Sequence, residues 1–228
     1  MKETRVAGRT VRIAGDPENC EWLLLQPEDP DEAGMVAEEA ECLARFRPEA
    51  RFALAAFGVD WWQDLTPWPC EPLFRGQPPF GDGAERTLSF VTGELIPGLL
   101  SGRARAPRVV LGGYSLAGLF ALYAGYASDR FDGIAAASPS VWYPEWTEYA
   151  DARRFLAKRA YLSLGDREAR TRNVLMKTVD EAIRAQYGTL AAQGVPALLE
   201  WNPGNHFVDA ALRTAKGFAY CIGTKGKE

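Results

Sequence analysis

The sequence predicts an α/β fold, a mostly parallel sheet with helices on both faces. Two observations carry this. Apolar runs of strand length alternate along the chain with segments of helical periodicity, the order that builds βαβ units. The 228 residues, 47% of them hydrophobic, can bury a sizeable core, and no composition break divides them, so 1–228 reads as a single domain.

The elements follow in order. EWLLLQP (Glu21 to Pro27) reads as a buried strand, and Asp31 to Phe46 follows with helical spacing and early acids, where a helix dipole favours them. Arg51 to Val59 is a second apolar strand. From Asp60 to Gly83 the chain reads DWWQDLTPWPCEPLFRGQPPFGDG, too rich in Pro and Gly for helix or central strand. A loop of that length in a compact domain is usually functional or mobile. A helix is expected over about Glu85 to Leu100, then strand PRVVLG, a serine at the break, and a helix from Leu116 to about Ser128. The remainder reads as strand FDGIAAAS, helix PEWTEYADARRFLAKR, strand AYLSLG, an amphipathic helix from about Thr171 to Gln193, strand PALLEWNPG and a last helix starting near His206.

Charge and composition exclude several functions. A formal net charge of -4 with scattered Lys and Arg leaves no basic excess for phosphates, so nucleic acid is not an expected partner and a small neutral or weakly charged substrate fits better. The stretch MKETRVAGRTVRIAG lacks the unbroken apolar core of a signal peptide, and nowhere do about 18 apolar residues run together. A soluble, cytoplasmic protein without a membrane partner is the expectation. Cys20, Cys42, Cys70 and Cys221 lie far apart and form no C-x-x-C, so free thiols are expected. With one histidine in the chain, a clustered zinc site is hard to build. No metal or cofactor is expected; carboxylate-bound magnesium stays open as chemistry, though nothing in the sequence points to it.

The chemistry-bearing residues are Gly113-Tyr114-Ser115-Leu116-Ala117-Gly118, where a strand meets a helix. That context gives a G-x-S-x-G pattern its meaning, and alanine in the last place keeps the residue small. A sharp elbow presses the flanking positions together, holds the serine in a strained conformation and aims the helix N-terminus and the Leu116 amide at a developing oxyanion. A serine hydroxyl needs a base. His206, in PGNHFVD after the last strand, completes the chain order serine, acid, histidine. The acid should come from the end of the intervening strand, where YLSLGDRE offers Asp166 and Glu168.

GYSLAGLFALYA, the S-P-S-x-W-Y-P run from Ser138 to Pro144, the SLGDRE turn and the GNHF turn resemble the esterase branch of the α/β-hydrolases, which includes enterochelin-type, feruloyl-type and carbohydrate esterases. The similarity runs from Glu21 onward, and DWWQDLTPWP resembles the D-W-N-x-D-L-S-P-W segment of small bacterial members. The resemblance implies a three-layer α/β-hydrolase fold with no separate lid domain. It also implies that the triad acid lies three residues after the strand-closing glycine, which selects Glu168, with Asp166 the second choice. Family members usually place a glycine before the second oxyanion donor, whereas this chain has Gln26-Pro27-Glu28. Pro27 has no N–H to give, so the Glu28 amide is the nearest counterpart.

The expected activity is a serine esterase: His206 deprotonates Ser115 as it attacks an ester carbonyl, the acid orients the imidazole, and backbone amides hold the oxyanion. Trp61, Trp62, Trp68, Trp142 and Tyr143 all fall on loops expected near the carboxyl edge of the sheet, where open α/β folds bind ligands. They read as an aromatic substrate cleft, with core packing or a homodimer contact as the alternative. An acyltransferase on the same fold and a non-catalytic binding protein are the competing functions.

Overall fold

The structure, a computed structural model, describes residues 1–30, 34–73 and 75–223. Eight strands form one sheet: β1 (Lys2–Val6), β2 (Arg9–Gly15), β3 (Trp22–Glu28), β4 (Phe52–Gly58), β5 (Arg108–Tyr114), β6 (Gly133–Ala137), β7 (Ala160–Gly165) and β8 (Ala197–Asn202). Their order is β1-β2-β4-β3-β5-β6-β7-β8. From β4 to β8 every pairing is parallel, and β2 joins β4 antiparallel. The central strands are apolar because both faces are covered: every residue of β3, β6 and β7 is buried.

Among the described residues, seven helices supply the covering layers: α1 (Met35–Phe46), α2 (Ala84–Phe90), α3 (Ile96–Leu99), α4 (Leu116–Ala127), α5 (Trp146–Asp151), α6 (Val179–Ala192) and α7 (Ala210–Ile222). Residues of α1 and α7 close one apolar core against one face of the sheet, and those of α2 to α6 pack into the core on the other. This is the three-layer arrangement expected. Residues 31–33, at the start of the first expected helix, lie outside the described residues.

Five features differ from the sequence reading, each for a local reason. The hairpin β1–β2 went unread because its charged, alternating residues are those of a sheet edge, not an apolar run; Ala7 and Gly8 turn it with φ of 46° and 84°. The helix expected over residues 144–159 stops at Asp151 because Phe155 drops into the core, its amide held by the Gln193 side chain at 2.7 Å. The helix expected from Thr171 begins later, after Asn173 Oδ1 accepts from the amides of Leu175 and Met176 and a single 3-10 turn follows. The last helix starts at Ala210 instead of near His206, since Asp209 sits at φ 54°. The helix expected over residues 85–100 is present, but a π turn (Val91–Leu95) separates α2 from α3, just ahead of Pro97, which has no N–H for a ladder.

Pro27 fits its strand for a related reason. The β3–β5 ladder ends at Leu25 opposite Leu111, so the N–H that Pro27 lacks is not missed there. All four cysteines carry free thiols. Among the described residues no helix is long and apolar enough to cross a membrane.

Candidate active site

The carboxyl ends of β5, β6, β7 and β8 bring the reactive groups together. Ser115 is the one residue between β5 and α4, at φ 59° and ψ -119°. Such a backbone costs on the order of 1–3 kcal/mol for a residue with a Cβ, so its surroundings must impose it. They do: the Ser115 amide donates to Ala137 O at 3.2 Å, and its carbonyl accepts from Leu119 and Ser140 amides at 3.0 and 3.1 Å. The two flanks of the elbow touch. A Cβ on Gly113 would stand 2.5 Å from the Ala117 Cβ, so glycine is required before the serine while alanine just fits after it.

Ser115 Oγ lies 3.0 Å from His206 Nε2, and His206 Nδ1 lies 2.7 Å from Glu168 Oε2. The other Glu168 oxygen, Oε1, accepts from the Gly165 amide at 2.7 Å, the Ser138 hydroxyl at 2.7 Å and Arg213 Nη1 at 3.0 Å. Burial pushes the Glu168 carboxyl up, but the bond and charge of His206, with the Ser138 and Gly165 bonds, outweigh this and hold it below the ordinary carboxylate range. Glu168 is therefore ionised at neutral pH.

Asp166 does something else. Its carboxylate accepts from the Gly204 amide at 2.8 Å, while Asp166 N–H donates to Asn202 O at 2.8 Å and Arg167 N–H to Gly204 O at 3.1 Å. These bonds zip the turn after β7 to the turn after β8, and so place His206 over the sheet edge. A one-residue offset from Gly165 keeps Asp166 inside that zipper; three residues let Glu168 fold back to the imidazole.

Three residues have contacts at the site to which the sequence reading assigned no role. Arg213, on α7 and only 1% exposed, sends Nη1 to Glu168 Oε1, to Tyr114 Oη at 3.1 Å and to Ser138 Oγ at 3.3 Å, and Nη2 to Pro203 O at 2.9 Å. Tyr114 in turn donates to the His206 carbonyl at 2.9 Å. Ser138, at φ 43°, carries its hydroxyl to Glu168. One signal was available: Arg213, Gly217 and Cys221 recur at four-residue spacing, so the arginine stands on the stripe that faces the sheet.

Of the two expected oxyanion donors, the Leu116 amide opens α4 directly after Ser115. The Glu28 amide is not placed for the role. The Glu28 carbonyl accepts from Val59 N–H, so it points toward β4; in an extended strand the N–H of a residue lies on the same side as its C=O, which here is the side away from β5 and Ser115. The Glu28 side chain is also committed, to Arg12 at 2.7 Å.

The expected aromatic cleft divides. Trp61 lines a narrow crevice with Glu28, Gly113, Tyr114 and Ala117, beside the elbow. The others mainly fasten the long loop. Tyr143 is buried and donates to Trp68 O at 2.6 Å, Trp68 Nε1 donates to Pro144 O at 3.0 Å, and Phe80 meets Trp62, Trp142 and Tyr143 at ring separations of 5.5, 6.4 and 5.5 Å. Trp142 and Tyr143 are thus buried in the core, and both also line a cavity of about 310 Å³ between residues 141–148 and α6. An aromatic the sequence reading passed over, Phe207, is 89% exposed with its ring edge-on to His206 at 5.6 Å.

The family model described as "Putative esterase" matches residues 63–206, more than half of the chain and including Ser115, Glu168 and His206. The chain belongs to this esterase family. A siderophore enterobactin esterase of Emericella nidulans is 34% identical over 111 residues, which are 44% of this chain and 36% of that protein. The chain therefore matches only about a third of the length of that curated relative. An IroE-like serine hydrolase from Shewanella oneidensis superposes with a TM-score of 0.79 at 18% identity, covering 96% of this chain and 79% of the other. The siderophore hydrolase EstA of Aspergillus nidulans gives 0.75 at 20% identity, with 98% and 95% covered. Both superpositions establish the fold of this esterase-family member as that of the α/β-hydrolases.

Proposed function

We propose that this esterase-family protein hydrolyses a carboxylic ester through an acyl-enzyme formed on Ser115. The observation that carries the reading is the line of contacts from Ser115 Oγ through the His206 imidazole to Glu168, with Ser115 in a positive-φ elbow. His206 Nε2 takes the hydroxyl proton as Oγ bonds to the ester carbon, and the carbonyl oxygen becomes an oxyanion facing the Leu116 amide at the α4 N-terminus. Collapse expels the alcohol, which leaves with that proton. Water, deprotonated by His206, then attacks the acyl-enzyme; the acid departs and Ser115 recovers its proton. Glu168 stays ionised throughout, orienting the ring and stabilising the imidazolium.

Small soluble esters are the substrate class, with siderophore-type esters first to test because two similar proteins are named for siderophore hydrolysis. The direct experiment is labelling with a fluorophosphonate probe alongside turnover on a panel varied in acyl and alcohol group. Labelling at Ser115 with hydrolysis of at least one ester is expected. Absence of labelling and of turnover in the folded protein would overturn the reading.

A further inference from the structure

We propose that Arg213 is a positioning residue for this hydrolysis, a clamp that holds Glu168 directly and the His206 backbone through Tyr114, keeping Ser115, His206 and Glu168 in line. The inference rests on the proposed activity and extends it to a residue that touches no substrate.

The geometry of the guanidinium argues for it. Its Nη1 reaches Glu168 Oε1 at 3.0 Å, which occupies that oxygen and leaves Oε2 to the imidazole. The same Nη1 reaches Tyr114 Oη at 3.1 Å, and the Tyr114 hydroxyl, adjacent in sequence to Ser115, donates to the His206 carbonyl at 2.9 Å. Nη2 holds the Pro203 carbonyl at 2.9 Å, in the turn that carries His206. One planar side chain thus binds the elbow strand, the acid turn and the histidine turn. Lysine presents a single charged nitrogen and cannot span the same carbonyl, hydroxyl and carboxylate together.

The energetics point the same way. A buried cation loses several kcal/mol of hydration, and well-packed apolar groups are often as stabilising or more so. Arg213 sits on a stripe with Gly217 and Cys221, where an apolar residue would suit the helix, and its Nε has no partner. Its burial is incompletely compensated as packing. What the arginine provides that leucine or methionine would not is a fixed direction for Glu168 and for the turn before His206.

The test compares wild type, Arg213→Lys, Glu168→Gln and the double variant, each checked for fold by circular dichroism. For Arg213→Lys we expect kcat to fall roughly tenfold to a hundredfold, the scale of a misaligned catalytic group, with KM within about twofold. In the Glu168→Gln background the same change should cost clearly less than in the wild type, because the carboxylate arm of the clamp has already been removed. Low concentrations of guanidinium ion should restore part of the turnover of Arg213→Ala. Equal kcat in wild type and Arg213→Lys, or fully additive losses with Glu168→Gln, would overturn the clamp. If Arg213→Lys fails to fold, Tyr114→Phe decides: it removes one arm, and kcat should fall at constant KM, whereas unchanged kcat refutes the proposal. A wild-type protein that neither labels nor hydrolyses would instead defeat the esterase reading, and the clamp with it.

Discussion

Glu168 meets His206 at 2.7 Å through one carboxylate oxygen while its other oxygen is held by three donors, so the acid arrives at the imidazole already fixed in place. Asp166, two residues earlier, spends its carboxylate on the Gly204 amide. The two acids should therefore separate in kinetics. Glu168→Gln is expected to lower turnover by up to about four orders of magnitude, since an amide facing Nδ1 stabilises the wrong tautomer. Asp166→Asn retains an acceptor for Gly204 and should cost less than about threefold, within the net worth of one hydrogen bond. Steady-state kinetics on any accepted ester will read both, and a reversed order would transfer the acid's role to Asp166.

Ser115→Ala should abolish turnover and fluorophosphonate labelling while leaving the thermal midpoint within a few degrees. The backbone bonds that impose the positive φ, to Ala137, Leu119 and Ser140, do not involve the hydroxyl, and alanine is strained there to the same degree as serine. Labelling that persists in this variant would mean that another nucleophile reacts.

Much of this site was legible because its signals are local. Gly113, Ser115 and Ala117 mark an elbow by size alone, and a single histidine after the last strand leaves one candidate base. What the sequence hides depends on distance in three dimensions. Glu28 looks like a donor by position, yet which side of β3 its amide faces is settled by pairing with β4, and no local pattern records that. Trp142 and Tyr143 read as cleft walls because they follow a strand, but their packing against Phe80, over sixty residues away, has no local signal. Arg213 was hidden in the opposite way. Arginine is usually exposed, and only its partners on four other segments explain its burial.

The aromatic residues separate by role. Phe80→Ala should destabilise the protein by about 3–5 kcal/mol, as loss of a buried aromatic does, because it removes the packing on Trp62 within the loop and unfastens the loop from Trp142 and Tyr143. Trp61→Ala and Phe207→Ala, beside the elbow and the histidine, should leave the thermal midpoint nearly unchanged and raise KM. A Phe80 variant with wild-type stability, or Trp61 and Phe207 variants with wild-type KM on every ester, would reverse that division.

The last prediction concerns stability at alkaline pH. Glu39 on α1 is almost fully buried, and burial pushes its carboxyl up to about 8, with the nearby Glu28 charge adding to the rise and the Gln26 amide, which donates to it at 2.5 Å, opposing it. In the unfolded chain the group titrates at the ordinary glutamate value near 4.5. Between those two values the folded state binds the extra proton, so Glu39 costs nothing below the ordinary range and progressively destabilises the fold as pH rises toward 8. Glu168 has the opposite sign: held below its ordinary value, it stabilises the fold above the glutamate range, and that contribution is lost as pH falls through its folded value. Glu39→Gln leaves a neutral side chain of the same shape at every pH. Its unfolding free energy from urea titration should match the wild type near pH 4 and exceed it increasingly above pH 5, by up to roughly 1.4 kcal/mol per pH unit until about pH 8. Parallel wild-type and variant stability curves from pH 4 to 9 would show that Glu39 is ionised in the folded protein and that its burial is compensated in some other way.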